Sequence, residues 1–421
     1  MTFRILAPDL RRPRDMLIVG ICVVMTLYVI FPEVLGDGKT KDFPLWFRVG
    51  QTVISGGPLY DSPDFLYTPF AAILLAPITV FGKIPFYLLL LLANSLVLWM
   101  AVVLSQKLAQ GDRSTPQWAN LVPILITAPL AIENFDLGQP NIILLLAMLI
   151  GFYALQRDRP ILSGAAFAFA VAVKVFPIAV LPYLIWRRHW RATASLSIFL
   201  VVFLVAIPSP IRGVERNLDE LKTWAVSMVG SEDGFGQRES QNWSWKNASI
   251  YALTHRIVRP INYFAVSEDS EPAYMNLFEL SYDQANLVVL AVAALLGLAF
   301  VAVMVPRRHM TPRAYADEIA ILICLMTIVS PLARTYYFVW LLFPLTVLVQ
   351  RIVDDGRPKF RQMGFAALGA IGLLTILSVF KTAQAYGVNT ISTMLLAAAL
   401  AVFMRRPDPE IDSSSRVCVT S

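Results

Sequence analysis

The sequence predicts an all-α, polytopic membrane protein, a single integral membrane domain over residues 1–421, and three observations carry that expectation. Of its 421 residues, 57% are hydrophobic and only 15% are charged, and the mean hydropathy is +0.62, values a soluble domain rarely reaches. Apolar runs of roughly 15–22 residues, the length that crosses or nearly crosses the hydrocarbon core, recur along the whole chain. Basic residues gather between alternate runs.

Taken in order, about 12 spans are expected: Met16–Leu35, Pro85–Leu104, Ala119–Ile132, Pro140–Leu155, Ile161–Val173 and Phe176–Trp186, then Ala192–Ile207, Ala285–Val305, Ala316–Pro331, Tyr336–Val349, Met363–Phe380 and Asn389–Met404. Ile73–Phe81 is apolar but too short to cross. The two runs flanking Lys174 are also short, which suits tilted, broken or re-entrant segments lining protein or a water-filled cavity. This count places Arg4, Arg11, Arg12 and Arg14, Lys107 and Arg113, Arg157 and Arg159, and Arg187, Arg188 and Arg191 on one side. Arg307, Arg308 and Arg313, Arg351, Arg357, Lys359 and Arg361, and Arg405, Arg406 and Arg416 join them. The positive-inside rule then puts both termini in the cytoplasm of a plasma (inner) membrane. External loop 36–84 and the long external loop 209–283 face out, and the tail 405–421 faces in. Leu218–Met228 within the long loop has the spacing of an amphipathic helix on the membrane surface. Met1–Arg14 resembles a charged leader, but no cleavage pattern follows Leu35, so it reads as a retained anchor.

The formal charge of +6 is explained by this sidedness, and no nucleic-acid partner is expected. Cys22, Cys324 and Cys418 form no disulfide framework or metal motif. His189 and His309 sit in basic clusters and only His255 lies outside, so no metal is expected.

The external segments hold the chemistry. Asp42, in Lys41-Asp42-Phe43-Pro44-Leu45-Trp46, stands just before a stretch of helical spacing. It is either a helix N-cap, a general base on a lipid-borne substrate, or both. Tyr60 and Tyr67 close the same loop. Glu133-Asn134-Phe135-Asp136-Leu137-Gly138-Gln139-Pro140-Asn141 carries more polar groups than a turn needs: either it caps a span, or Asp136, Gln139 and Asn141 hydrogen-bond a sugar. Lys174 lies between two apolar runs, either snorkelling to the interface or holding a phosphate. Burying it unpaired costs a few kcal/mol. Arg334 can pair with a phosphate, while Tyr336 and Tyr337 suit either the site or the interfacial aromatic belt. In the long loop, Trp243 and Trp245 with Asn247 have the make-up of a sugar platform, and His255 and Arg256 follow on the next helix. Asn242-Trp243-Ser244 and Asn247-Ala248-Ser249 also match glycan-acceptor sequons, a weak pattern.

Several stretches together resemble the polytopic glycosyltransferases of the GT-C class, and glycosyltransferase family 87 in particular. They are Asp42-Phe43-Pro44 leading through Gly50 and Gly57 to Tyr60, Tyr67-Thr68-Pro69, Gly138-Gln139-Pro140-Asn141, and Lys174-Val175-Phe176-Pro177 with Arg187-Arg188 behind it. Asn247-Ala248-Ser249 with Arg256, and Ser330-Pro331, complete the set. The resemblance implies a GT-C helical bundle and a transferase that moves a hexose, mannose first, from a polyprenyl-phosphate donor to a lipid or glycan acceptor at the external face. It implies Asp42 as base, Lys174, Arg334 and Arg256 near the donor phosphate, and no required nucleotide or metal. One departure stands out: family members often carry a histidine after the Ser-Pro, where this chain has Arg334-Thr335-Tyr336-Tyr337.

Two other classes compete. A secondary transporter or lipid-linked sugar flippase would use Lys174, Asp136 and Asp42 as intramembrane charges, but no repeat of the kind that supports alternating access is visible. A scaffold would have no use for the external polar groups.

Overall fold

The computed structural model describes residues 8–34, 42–61, 64–111, 113, 115–228, 242–266 and 271–404, and every regular element among them is helical. Helices satisfy their own backbone groups, as a lipid environment requires. The chain runs α1 (Pro13–Val34), α2 (Phe43–Ser55), α3 (Pro69–Thr79), α4 (Lys83–Gln110), α5 (Gln117–Asp136), α6 (Asn141–Gln156) and α7 (Pro160–Val173). A 3₁₀ turn over Phe176–Ala179 leads into α8 (Val180–Trp186), followed by α9 (Trp190–Val201), a π turn over Val202–Ala206, α10 (Ser209–Arg212), α11 (Val214–Met228) and α12 (Ile250–Val258). Then come α13 (Tyr282–Val303), α14 (Pro312–Val329), a 3₁₀ segment over Thr335–Leu341, α15 (Leu342–Asp354), α16 (Pro358–Leu377), α17 (Lys381–Ala385) and α18 (Val388–Met404).

Among the described residues, seven segments are long and apolar enough to cross a membrane by length and composition: Pro13–Pro32, Lys83–Gln110, Gln117–Asp136, Trp190–Arg212, Tyr282–Val303, Thr335–Asp354 and Pro358–Leu377. Asn141–Gln156, Pro160–Val173, Phe176–Trp186 and Val388–Met404 are shorter apolar helices. The remaining expected run, Ala316–Pro331, falls in α14, which also holds Arg313, Asp317 and Glu318. Its buried carboxylates are matched across the bundle. Asp317 accepts from Arg351 Nε at 2.7 Å, and Glu318 pairs with Arg187. A buried acid is tolerated only with such a partner.

The core centres on Thr335–Asp354, where Trp340, Phe338 and Phe343 are fully enclosed. α13 is the opposite case, with Leu287, Leu290, Leu295 and Leu298 all largely exposed. The short helices α10 and α11 knit to the loops that follow α2. Arg212 donates to Gly57 O at 2.8 Å and pairs with Glu220, Arg216 donates to Gly56 O at 2.6 Å, and Trp224 Nε1 donates to Leu66 O at 3.2 Å. α10 and α11 therefore clamp the loop that follows α2.

Candidate active site

Four breaks between helices meet at one end of the bundle, and each delivers a functional side chain. The first precedes α2. Asp42 occupies the N-cap position, but its backbone is already helical (φ −107°, ψ −16°) and its side chain makes no capping bond. The capping expectation is thus corrected: Asp42 Oδ2 instead accepts from Gln139 Nε2 at 2.6 Å. The second break, between α5 and α6, makes that contact possible. Gly138 has φ +62°, and a Cβ there would lie 2.9 Å from the Phe43 ring. Only glycine relaxes in that backbone region while admitting the ring, so the residue after Asp42 sets the residue before Gln139.

From Gln139 a hydrogen-bonded chain crosses the site. Tyr67 OH donates to Gln139 Oε1 at 2.7 Å, and Lys174 Nζ donates to Tyr67 OH at 3.3 Å. Tyr60 stands behind, its hydroxyl donating to Tyr67 O at 2.8 Å. The third break holds Lys174, extended (φ −150°, ψ 125°) at the end of α7. Thr68 Oγ1 donates to Ala172 O, tying this break to the start of α3. The Lys174 ammonium is 4.0 Å from the ring centre of Tyr337, 5.2 Å from Tyr67 and 5.4 Å from Tyr336. Such a cage stabilises a half-buried cation by roughly 0.5–2 kcal/mol. The fourth break carries Arg334, just before the Thr335–Leu341 segment.

All of these groups except Tyr60 and Thr68 line one cavity of about 520 Å³, together with Asp64, Arg48, Trp46, Met228 and Met326. Burial lifts the Asp42 carboxyl above the ordinary carboxylate range. The Gln139 hydrogen bond and the charges of Arg334 and Lys174 oppose the rise, and Asp64 adds to it. Asp42 is therefore a stronger base than a solvated carboxylate and lies within the field of two cations.

Asp64 and Arg48 were missed from sequence. Arg48 lies six residues beyond Asp42, about 120° from it around α2, so helical spacing does not point to it; Asp64 lies in an irregular turn with no spacing signal.

The other expected residues do not reach the cavity. Asp136 ends α5, half-buried, away from the lining. Asn141 is fully buried, and its carbonyl accepts from Trp340 Nε1 at 2.8 Å. Trp243 is not a sugar platform: it is buried, with its ring stacked on His255 at 4.4 Å between centres. Trp245 is half-buried, with the ammonium groups of Lys246 and Lys381 at 5.5 and 5.6 Å from its ring centre. Burial pushes His255 down to about 4, and Nε2 bonds Asn286 Oδ1 at 3.2 Å. Arg256 is no phosphate ligand either. It is fully buried and donates to Ser244 O at 2.8 Å and Asn247 O at 2.9 Å.

Asn247 links this cluster to the site wall. Its Oδ1 accepts from Ala333 N at 3.0 Å and Ser249 N at 3.1 Å, while Nδ2 donates to Pro331 O at 2.9 Å. The Asn247-Ala248-Ser249 motif thus grips Pro331–Ala333, the stretch that presents Arg334. Asn242 and Asn247 are both buried, which rules them out as glycan acceptors in the folded chain.

An apolar slot of about 360 Å³ adjoins the cavity and shares Ala179, Met326 and Val329 with it. Its walls are stripes at helical spacing: Ala179, Pro182, Tyr183 and Trp186 from the 3₁₀ turn and α8, Leu322, Leu325, Met326 and Val329 from α14, and Leu296, Gly297 and Phe300 within α13. A Cβ added at Gly297 meets no heavy atom within 4 Å.

A buried carboxylate facing cations, beside an apolar slot in a bundle of apolar helices, has the make-up of an enzyme site. Comparison with known proteins narrows the class. The profile of Glycosyltransferase family 87 matches residues 65–331, and the chain belongs to this family. One relative, from Mycobacterium tuberculosis, is named polyprenol-phosphate-mannose-dependent alpha-(1-2)-phosphatidylinositol pentamannoside mannosyltransferase. It is 27% identical over 348 residues, 81% of this chain and 66% of its own length. The protein of the same name from Mycolicibacterium smegmatis is 30% identical over 223 residues, 49% of this chain and 51% of its own. The chain thus spans just under two thirds of the longer-matched relative and about half of the other. Apo ArnT from Cupriavidus metallidurans aligns over 92% of this chain and 76% of its own, at 14% identity and a TM-score of 0.43.

Proposed function

We propose that this protein transfers mannose from a polyprenyl-phosphate donor to a hydroxyl of a lipid or glycan acceptor. The observation that carries the reading is the pairing, across one cavity, of a base whose affinity for protons is raised with two cations fit for a phosphate. Asp42 takes the proton of the attacking hydroxyl as its oxygen bonds to the sugar C1 with inversion. The C1–O bond to the lipid phosphate breaks, and the electron pair leaves on the phosphate oxygen, stabilised by Lys174 and Arg334. Binding of a non-reacting part of the substrate improves positioning. Here the apolar slot beside the cations suits the lipid chain of the donor. The relatives' names make a mannosylated phosphatidylinositol the first acceptor to try. The basic clusters support twelve crossings with both termini cytoplasmic and the Asp42 cavity external.

The test supplies the purified protein with radiolabelled polyprenyl-phosphate mannose and phosphatidylinositol mannosides. Label should enter a new lipid with wild type and fall roughly 10²–10⁴-fold with Asp42→Asn. Equal transfer by the variant removes Asp42 as base. Failure of wild type with mannose, glucose and arabinose donors alike, with sugar uptake into proteoliposomes, replaces the transferase with a transporter.

A further inference from the structure

At the far end of the helical segment Phe176–Trp186 from Lys174 lies a separate cavity of about 350 Å³. A rise of about 1.5–2.0 Å per residue puts the two ends roughly 18 Å apart. Its cationic wall comes from two loops of the same local sequence, Arg187-Arg188-His189 and Arg307-Arg308-His309. Arg187, His189 and Arg307 line the cavity, Arg307 from its exposed rim, whereas Arg188 and Arg308 are exposed and do not line it. Arg188 holds the left-handed region (φ +54°) between its two lining neighbours, a conformation an arginine adopts at some energetic cost.

The basic clusters already explain themselves as topology signals, so convergence on a concavity is the added observation. The acid paired with Arg187, Glu318, does not line the cavity and is already occupied. Glu318 accepts from Arg187 Nε at 3.1 Å and from Val305 N at 3.0 Å. His189 and Arg307 make no ion pair with any described residue. Burial, followed by the charges of Arg307 and Arg187, pushes the His189 imidazole below its usual value, which leaves it a neutral hydrogen-bond donor beside a fixed charge. Leu155 and Met310 make part of the wall apolar, and Tyr183 is shared with the lower end of the slot. Trp186 and Trp190, 60% and 58% exposed, flank the loop as interfacial aromatics do.

We propose that this pocket binds the phosphate headgroup of an anionic membrane lipid in the leaflet opposite the Asp42 cavity, with Arg307 supplying charge and His189 a hydrogen bond. Basic pockets between membrane helices take such headgroups, and the tryptophans and apolar wall favour a lipid over a soluble anion.

The proposal is independent of the transferase reading, and so is its test. Delipidated full-length protein is titrated with phosphatidylglycerol, phosphatidylcholine or inorganic phosphate, and bound lipid is counted by native mass spectrometry. Phosphatidylglycerol should saturate at one tight adduct that phosphatidylcholine does not form. Arg307→Gln should weaken it about fivefold, the effect of one charge near a headgroup, and His189→Ala should weaken it further. Arg308→Gln, which removes an equal charge outside the pocket, should change it less than about twofold by the same measure. Equal losses in Arg307→Gln and Arg308→Gln overturn the pocket in favour of diffuse surface charge. Displacement of the lipid by inorganic phosphate overturns the lipid in favour of a soluble anion. Unchanged thermal midpoints in all three variants exclude misfolding as the cause.

Discussion

Around Asp42, tyrosines, amides and cations face a cavity of about 520 Å³; around Arg256, the same residue types face one another. In the first region the hydrogen bonds run through side chains, from Lys174 through Tyr67 and Gln139 to Asp42. In the second they end largely on backbone carbonyls, three of them on Arg256 alone. A side chain spent on backbone fixes a loop; one spent on another side chain at a cavity wall can exchange its partner for a substrate. The two regions meet where Asn247 grips Pro331 and Ala333, so the second region positions what the first uses.

Substituting the two cations breaks or sharpens this contrast. Lys174→Met should lower kcat roughly 10²–10³-fold, the usual loss when a charge-stabilising donor is removed, with the thermal midpoint near wild type. Arg256→Met should do the reverse. Stranding its buried carbonyls costs about 3 kcal/mol or more, seen as a lower unfolding midpoint, while kcat of the folded fraction stays near wild type. If Arg256→Met lost activity at unchanged stability, the division between the regions would collapse.

A smaller effect tests the chain itself. The Gln139 hydrogen bond holds the Asp42 carboxyl down against the rise caused by burial. Gln139→Ala removes that restraint, so the Asp42 pKa rises and the acidic limb of kcat/KM moves to higher pH. Activity is lost as pH falls through that value, because the base becomes protonated. A limb that stays in place would show that another group titrates. The smallest effect belongs to the slot. Gly297→Trp should raise KM about tenfold for a long-chain donor, the effect of two displaced methylenes at ~0.8 kcal/mol each. It should leave an analogue with a two-isoprene chain unchanged. Leu295→Trp, on an outer face of α13, serves as control.

The apolar runs were legible as helices because hydrophobicity over that length admits little else, and charge clusters ordered them. The break at Lys174 was legible from a lysine followed closely by Pro177. The direction in which a polar residue faces was not. Asp42 reads as a cap from its place before Phe43-Pro44, and only the fold shows that Gln139, 97 residues away, takes its carboxylate. Trp243 and Trp245 have the composition of a sugar site, yet the His255 ring covers one and two lysines flank the other. Asn247-Ala248-Ser249 was rightly singled out, but its work is to grip the Pro331–Ala333 backbone. The order of motifs along the chain singled out several segments that the fold brings to one cavity, while the partner of each depended on tertiary packing that spacing does not encode.

The four-membered chain across the cavity has one more consequence, which concerns timing. Lys174 donates to the Tyr67 oxygen, and such donation strengthens the bonds further along. A phosphate that draws the ammonium away weakens the grip of Tyr67 on Gln139, and hence that of Gln139 on Asp42. The carboxylate then becomes more basic when the anion arrives at the other pole, and by reciprocity a protonated Asp42 favours that arrival. In the proposed transferase, a site so wired arms its base after the leaving group is in hand.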